Sequence, residues 1–353
     1  MQAYITHLAY ELPAQRVENP AGRLRKKTKI KARHIAAADE TASDLAVRAA
    51  EKLFAAGVAR EKVDFVLFCT QSPDYPLPTT ACILQQRLGL PKSCGALDYN
   101  LGCSGYIYGL GLARGLIETG QARCVLLLTA ETYSKYINPK DGATLPLFGD
   151  GAAATLIEAV EADHAGIDGL TYGTDGSGAE QLIVPVGGAR QPYETTPVQE
   201  TTDKYGNYRT NRNLYMSGSS IMNFALEVVP RSVEEILRKT QLSKADIDYY
   251  VFHQANHFML AYLQQECDLL DAPYWNDVEE YGNTVSCSEP IAVCDMLHAH
   301  GSASMRHVML MGFGVGLSWA GCIVNLTRVN IYSGGADSNR ANQAEAVGVR
   351  LAA

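Results

Sequence analysis

Cys103 lies in the segment DYNLGCSGYIYGLG, directly after an extended run and at the first turn of a strongly helical stretch. Gly102 and Gly105 beside it permit a tight turn and a close approach of substrate to backbone. A thiol at the N-terminal end of a helix feels the positive end of the macrodipole, which favours the thiolate and makes it a nucleophile near neutral pH. A cysteine among apolar residues is more commonly a small core side chain. The glycines at a strand-to-helix turn set this one apart. The serine-hydrolase elbow is the rival motif, but it needs glycine two residues before the nucleophile, and Leu101 holds that place.

His253 ends one apolar run and opens the segment HQANH, so it would project from the end of a strand. His257 follows four residues later, and such a pair can bind zinc, but the metalloprotease pattern lacks its glutamate because Gln254 stands there. No metal is expected. Asn283, in EYGNTVSCSEP, reads as a turn residue before a helix that begins near Ser288. The stretch 309–322 (MLMGFGVGLSWAGC) reads as strand, glycine turn, strand, where backbone N–H groups are free to face a cavity as an oxyanion hole. Each of these three has an ordinary structural explanation when taken alone.

The elements that would carry them alternate in type. Residues 63–69, 124–130 and 307–313 have the length and β-branched, apolar content of buried strands. Residues 41–57 and 104–120 show helical periodicity and close on Gly57 and Gly120. The second half repeats the logic with a strand at 246–252 and a helix at 254–267, so each half offers a reactive side chain at a strand-to-helix junction. The polar stretch 186–213 reads as a surface excursion, and the small, polar segment after Val329 as a loosely held tail. Two α/β halves, 1–165 and 166–329, with a tail at 330–353, follow from this pattern.

With 353 residues, 47% of them apolar, the chain can bury one large core or two fused ones. Its formal charge of −8 repels a nucleic-acid backbone. Nine cysteines without CxxC pairs fit a reduced, cytoplasmic protein, and no window approaches about 18 apolar residues in a row, so no membrane span is expected.

Taken together, the segments DYNLGCSGYIYGLGLARGLIETG (98–120), LFGDGAAATLI (147–157), FHQANHFML (252–260), YGNTVSCSEPIAV (281–293) and GFGVGLSWAG (312–321) resemble the β-ketoacyl-acyl carrier protein synthase III family of the thiolase superfamily. The resemblance implies an α/β thiolase-like fold, two pseudo-symmetric halves in an α-β-α-β-α layered core. It implies that Cys103 takes the acyl group from a starter thioester. The backbone N–H groups of Cys103 and Val315 would hold the oxyanion. His253 Nε2 and the Asn283 amide would donate to the carbonyl of a malonyl-type thioester as CO₂ leaves. Its partners would be acyl carrier protein and an acyl-CoA or acyl-carrier starter, with no cofactor and no metal. A homodimer is implied too, with the segment DYPLPTTACILQQRLGL (74–90) closing the partner's acyl pocket; Leu77, Gly314 and Gly316 would line that pocket.

Departures from the family pattern bear on the substrate. The loop VENPAGRLRKKTKIKARHI (17–35) has no tryptophan to clamp an adenine. Gly142 stands where an arginine precedes the FGDGA segment, His257 or Phe258 where one follows HQAN, and Val315 where glycine is usual. These changes point away from coenzyme A priming and toward a specialised pathway. The basic run Arg23, Arg25, Lys26, Lys27, Lys29 and Lys31 is suited to an acidic carrier or a coenzyme A phosphate, and equally to a solvated face. The alternative activity is transfer of the acyl group from Cys103 to a hydroxyl or amine without decarboxylation.

Overall fold

The computed structural model describes residues 1–332. One sheet runs, in spatial order, Asn330–Ile331, Gln2–Glu11, Gly151–Val160, Cys124–Glu131, Phe65–Cys69 and Gly95–Tyr99. The other runs Ile167–Thr174, Ser318–Val324, Val308–Gly314, Tyr249–Phe252 and Tyr274–Trp275. Followed from Gln2–Glu11 and from Ile167–Thr174, both show two antiparallel pairings and then two parallel ones. The same topology is therefore built twice, although the letters of the two halves do not repeat.

Burial explains the strand compositions. Cys124–Glu131 is buried at every residue because helices cover both faces of its sheet. Helix Gly105–Glu118 packs against strands of both sheets and, with Ser288–His300, forms the middle layer. Ala42–Ala55 covers the outside of the first sheet and Gly218–Thr240 the outside of the second, which completes the α-β-α-β-α order. Ala42–Ala55 starts at Thr41, whose side chain accepts from the Asp44 N–H while Asp44 accepts from the Thr41 N–H. Such a cap contributes about 1 kcal/mol. The chain leaves helices Ala42–Ala55 and Gly105–Glu118 through Gly57 and Gly120, at φ 102° and 77°.

Three local expectations need correction. The helix after His253 spans His257–Glu266 rather than starting at 254, because the Asn256 side chain accepts from the Met259 N–H at 3.0 Å and caps it there. The start of the supposed tail is docked: Asn330–Ile331 pairs with Gln2–Glu11, the Tyr332 N–H donates to Leu8 O at 2.9 Å, and the Tyr332 ring stacks on His7. The remainder of the tail, 333–353, lies outside the described residues. The basic run, expected within a loop, folds in part as a short helix, Arg23–Thr28.

Candidate active site

Cys103 stands two residues before helix Gly105–Glu118, at the end of the loop that leaves strand Gly95–Tyr99. Strand Val308–Gly314 passes so close that a Cβ at Gly314 would sit 2.9 Å from the Cys103 Sγ. A Cβ at Gly102 would sit 2.5 Å from the Val315 side chain. Both positions need glycine for space, not for an unusual φ. The backbone N–H groups of Cys103 and Val315 face the sulfur and lower its pKa. They are outweighed by burial and, after it, by the carboxyls of Glu289 and Glu131, which push the thiol well above its usual range. The expectation of a resting thiolate is thus overturned: desolvation of a fully buried sulfur exceeds what backbone dipoles return.

His253 follows strand Tyr249–Phe252, and its N–H continues the ladder by donating to Met311 O at 2.8 Å. The ring meets Phe313 edge-on at 5.5 Å, and its Nδ1 lies 2.7 Å from Ser288 Oγ. Burial pulls its pKa down to about 3, so the imidazole is neutral at physiological pH. Asn283 is fixed by its backbone, which donates to Leu147 O and accepts from the Gly149 N–H. Its Oδ1 accepts from the Val285 N–H at 2.9 Å, leaving the NH₂ end as the available donor. The FGDGA segment therefore acts as a clamp on Asn283. Its Asp150 accepts from the Ala36 and Ser134 N–H groups and the Ser134 hydroxyl. Arg33, itself buried, donates to Leu145 O and Phe148 O in the same loop.

One cavity of about 490 Å³ is lined by Cys103, His253, Asn283, Phe313 and Gly314. Its apolar wall comes from Tyr133, Leu147, Phe148, Leu182, Met216, Ile221, Met222 and Met259. The exposed Lys27, Ser219 and Asn223 stand at the mouth, while Cys103, His253 and Asn283 are all buried at the inner end. Gly316, read as a pocket residue, does not line it; Leu77, expected against a partner's pocket, is 81% exposed on its own chain. Sequence reasoning missed the contributions of helix Arg23–Thr28 and of the first turns of Gly218–Thr240. Lys27 Nζ lies 3.7 Å over the Phe258 ring, a cation beside the position where the family pattern has arginine. Among the described residues no three His, Cys, Asp or Glu side chains gather as a metal-ligand set.

A nucleophile, two hydrogen-bonding side chains and two converging backbone N–H groups at the end of an apolar cavity suit acyl transfer. Comparison with known proteins agrees. The family model for 3-oxoacyl-[acyl-carrier-protein] synthase III matches residues 97–176, and the model of its C-terminal part matches 237–326. The β-ketoacyl-[acyl-carrier-protein] synthase III of Clostridium perfringens is 36% identical over 86% of this chain and 90% of its own length. This chain belongs to the β-ketoacyl-acyl carrier protein synthase III family. A synthase III of Streptomyces coelicolor is also 36% identical, over 84% of this chain and 86% of its own. Among solved structures, a 3-oxoacyl-(acyl-carrier-protein) synthase III superposes with a TM-score of 0.89 at 48% identity, covering 92% of this chain and 100% of that one. The 3-oxoacyl-(acyl-carrier protein) synthase of Burkholderia xenovorans does so at 0.85 and 36%, covering 94% and 96%. Membership in the synthase III family makes the chain a condensing enzyme of the thiolase fold.

Proposed function

We propose that the chain joins an acyl group, carried on Cys103, to a malonyl-type thioester by decarboxylative Claisen condensation. The reading is supported above all by Cys103, His253 and Asn283 sharing the inner end of one cavity with the Cys103 and Val315 N–H groups turned on the sulfur. The resting thiol attacks the starter carbonyl, its proton passes to the departing carrier thiol, and the two N–H groups hold the oxyanion. A malonyl-type thioester then places its carbonyl oxygen between His253 Nε2 and the Asn283 NH₂. These donors stabilise the enolate as CO₂ leaves. The enolate carbon attacks the acyl-Cys103 carbonyl, and expulsion of the sulfur as a thiolate, which takes up one proton from solvent to restore the resting thiol, gives a 3-oxoacyl thioester. No step calls on a metal or cofactor. The neutral imidazole suits this role, because a donor that carries no charge costs far less to keep in a dry site than a cation does.

The starter pocket would be completed by a second copy of the chain. Leu77 and Tyr75 are exposed apolar side chains on the loop before helix Thr80–Arg87, whose first N–H groups bind Asp98 of the edge strand Gly95–Tyr99. In a homodimer that loop would reach the partner's cavity. Lys27 at the mouth would meet the phosphate of a carrier protein's pantetheine arm or of coenzyme A. A cytoplasmic site of action suits nine unpaired cysteines; no helix among the described residues is long and apolar enough to cross a membrane.

Intact-protein mass spectrometry tests the reading. Mixed with a panel of acyl-CoA and acyl-carrier thioesters, the protein should gain one acyl mass that Cys103→Ala does not gain, and should shed it only when a malonyl thioester is added. Shedding to a hydroxyl or amine acceptor with no malonyl thioester present would instead establish plain acyl transfer.

A further inference from the structure

Ser288 Oγ lies between three groups: His253 Nδ1 at 2.7 Å, Glu289 Oε2 at 2.9 Å and the Gln254 backbone N–H at 3.3 Å. A hydroxyl has one hydrogen and two lone pairs. Gln254 occupies one lone pair, so the hydrogen and the other lone pair must be divided between imidazole and carboxyl. An ionised Glu289 can only accept. Ser288 would then point its hydrogen at Glu289 and accept from Nδ1–H, leaving Nε2 of the neutral ring without a proton. A Glu289 protonated at Oε2, since a proton on Oε1 would find no acceptor, reverses the chain: Oε2–H donates to Ser288, Ser288 donates to Nδ1, and Nε2 carries the hydrogen.

The surroundings of Glu289 favour the second arrangement. The side chain is fully buried, its Oε1 has no hydrogen-bond partner, and Gly312 packs so closely that a Cβ there would sit 2.7 Å from Oε1. Among the described residues no cation offsets its charge, and burial pushes the carboxyl well above the usual range. The titratable groups facing it from other elements are Cys103, Tyr106 and Cys322, with Cys287 on the adjoining turn. Burial raises all four, so they stay neutral near physiological pH. Glu131, pushed up to about 8, acts on Cys103 and Cys287 but is hydrogen-bonded to Gln71, Ser72 and Ser286, not to Ser288.

We infer that Ser288 and Glu289 are positioning residues that fix His253 in its Nε2–H tautomer for as long as Glu289 carries its proton. The inference deepens the decarboxylative reading above and rests on it for its catalytic meaning: only an Nε2–H ring can donate to the enolate oxygen. Loss of the proton balances as a single relay. The Glu289 hydrogen moves to Ser288, the Ser288 hydrogen to Nδ1, and the Nε2 hydrogen to the cavity. One proton is released, no imidazolium is formed, and the donor becomes an acceptor.

Nitrogen-15 NMR of histidine-labelled protein reads the tautomer directly, with His253→Ala assigning the signals. At pH 7 the wild-type ring should be neutral and protonated at Nε2. It should convert to the Nδ1–H form on raising the pH, before alkaline unfolding, and the conversion should be absent in Glu289→Gln but present in Glu131→Gln. The Ser288→Ala ring should lose its single-tautomer signature. An Nδ1–H ring at pH 7, no conversion in the wild type, or the same conversion in Glu289→Gln would each overturn the inference. In parallel, CO₂ release from a malonyl thioester should fall about tenfold per pH unit above the conversion midpoint, a limb that Glu289→Gln lacks. A wild type whose tautomer behaves as described but which releases no CO₂ at any pH refutes the condensation reading and leaves the relay standing.

Discussion

At the scale of single residues, burial decides the charge states of the site. It keeps Cys103 a thiol, makes His253 neutral and holds Glu131 protonated to about pH 8. Removing either donor to the enolate, as in His253→Ala or Asn283→Ala, should lower CO₂ release by about 10²–10³. Acylation of Cys103, followed by intact mass, should survive in both variants. Glu131 makes a separate stability prediction. Its folded pKa of about 8 exceeds the ordinary 4.5, so the folded state binds more protons over that window and stability falls as pH rises through it. Urea denaturation from pH 5 to 9 should show a decline that is flatter in Glu131→Gln. The nucleophile itself was legible, because glycines crowd a cysteine only where backbone must approach it. Its protonation state was not. The helix-end argument considers one dipole, whereas the burial that outweighs it comes from packing against strand Val308–Gly314, which no local window joins to 103.

Among elements, strand Val308–Gly314 packs closely on the Cys103 turn that leads into helix Gly105–Glu118. A Cβ on Gly312 would lie 2.6 Å from Cys103 O and 2.8 Å from Ser104 Cα, both backbone atoms that cannot rotate aside. Gly312→Ala should therefore cost about 1–3 kcal/mol in chemical denaturation and slow acylation by displacing the Cys103 turn. Unchanged stability and acylation would show that the turn is not held against this strand. The alternation of strand and helix was readable because buried strands and amphipathic helices carry different periods. Helix Arg23–Thr28 was hidden by its six residues and its charge, since a polar segment that short has no apolar stripe to read. The apolar cavity wall from Gly218–Thr240 was hidden for another reason: Ile221 and Met222 look like any core residues until the opposing surface is in place.

For the whole molecule, a net charge of −8 coexists with a cationic cavity mouth, where Lys27 stands over Phe258 while Lys31 is engaged by Glu279. Lys27→Glu should raise KM for a carrier-borne starter by about tenfold and weaken its salt dependence, with a smaller change for a short thioester that lacks phosphate. Equal changes for both would remove phosphate recognition from Lys27. The duplicated topology brings positions 103, 253 and 283 to one cavity, and their proposed joint task is to break a carbon–carbon bond while another forms. Stoichiometry tests that most directly. Acyl-Cys103 protein, mixed with a malonyl thioester labelled in its free carboxylate, should release one labelled CO₂ for each 3-oxoacyl thioester formed, and Cys103→Ala should form no 3-oxoacyl thioester. Discharge of the acyl group into product with the label retained would contradict the account.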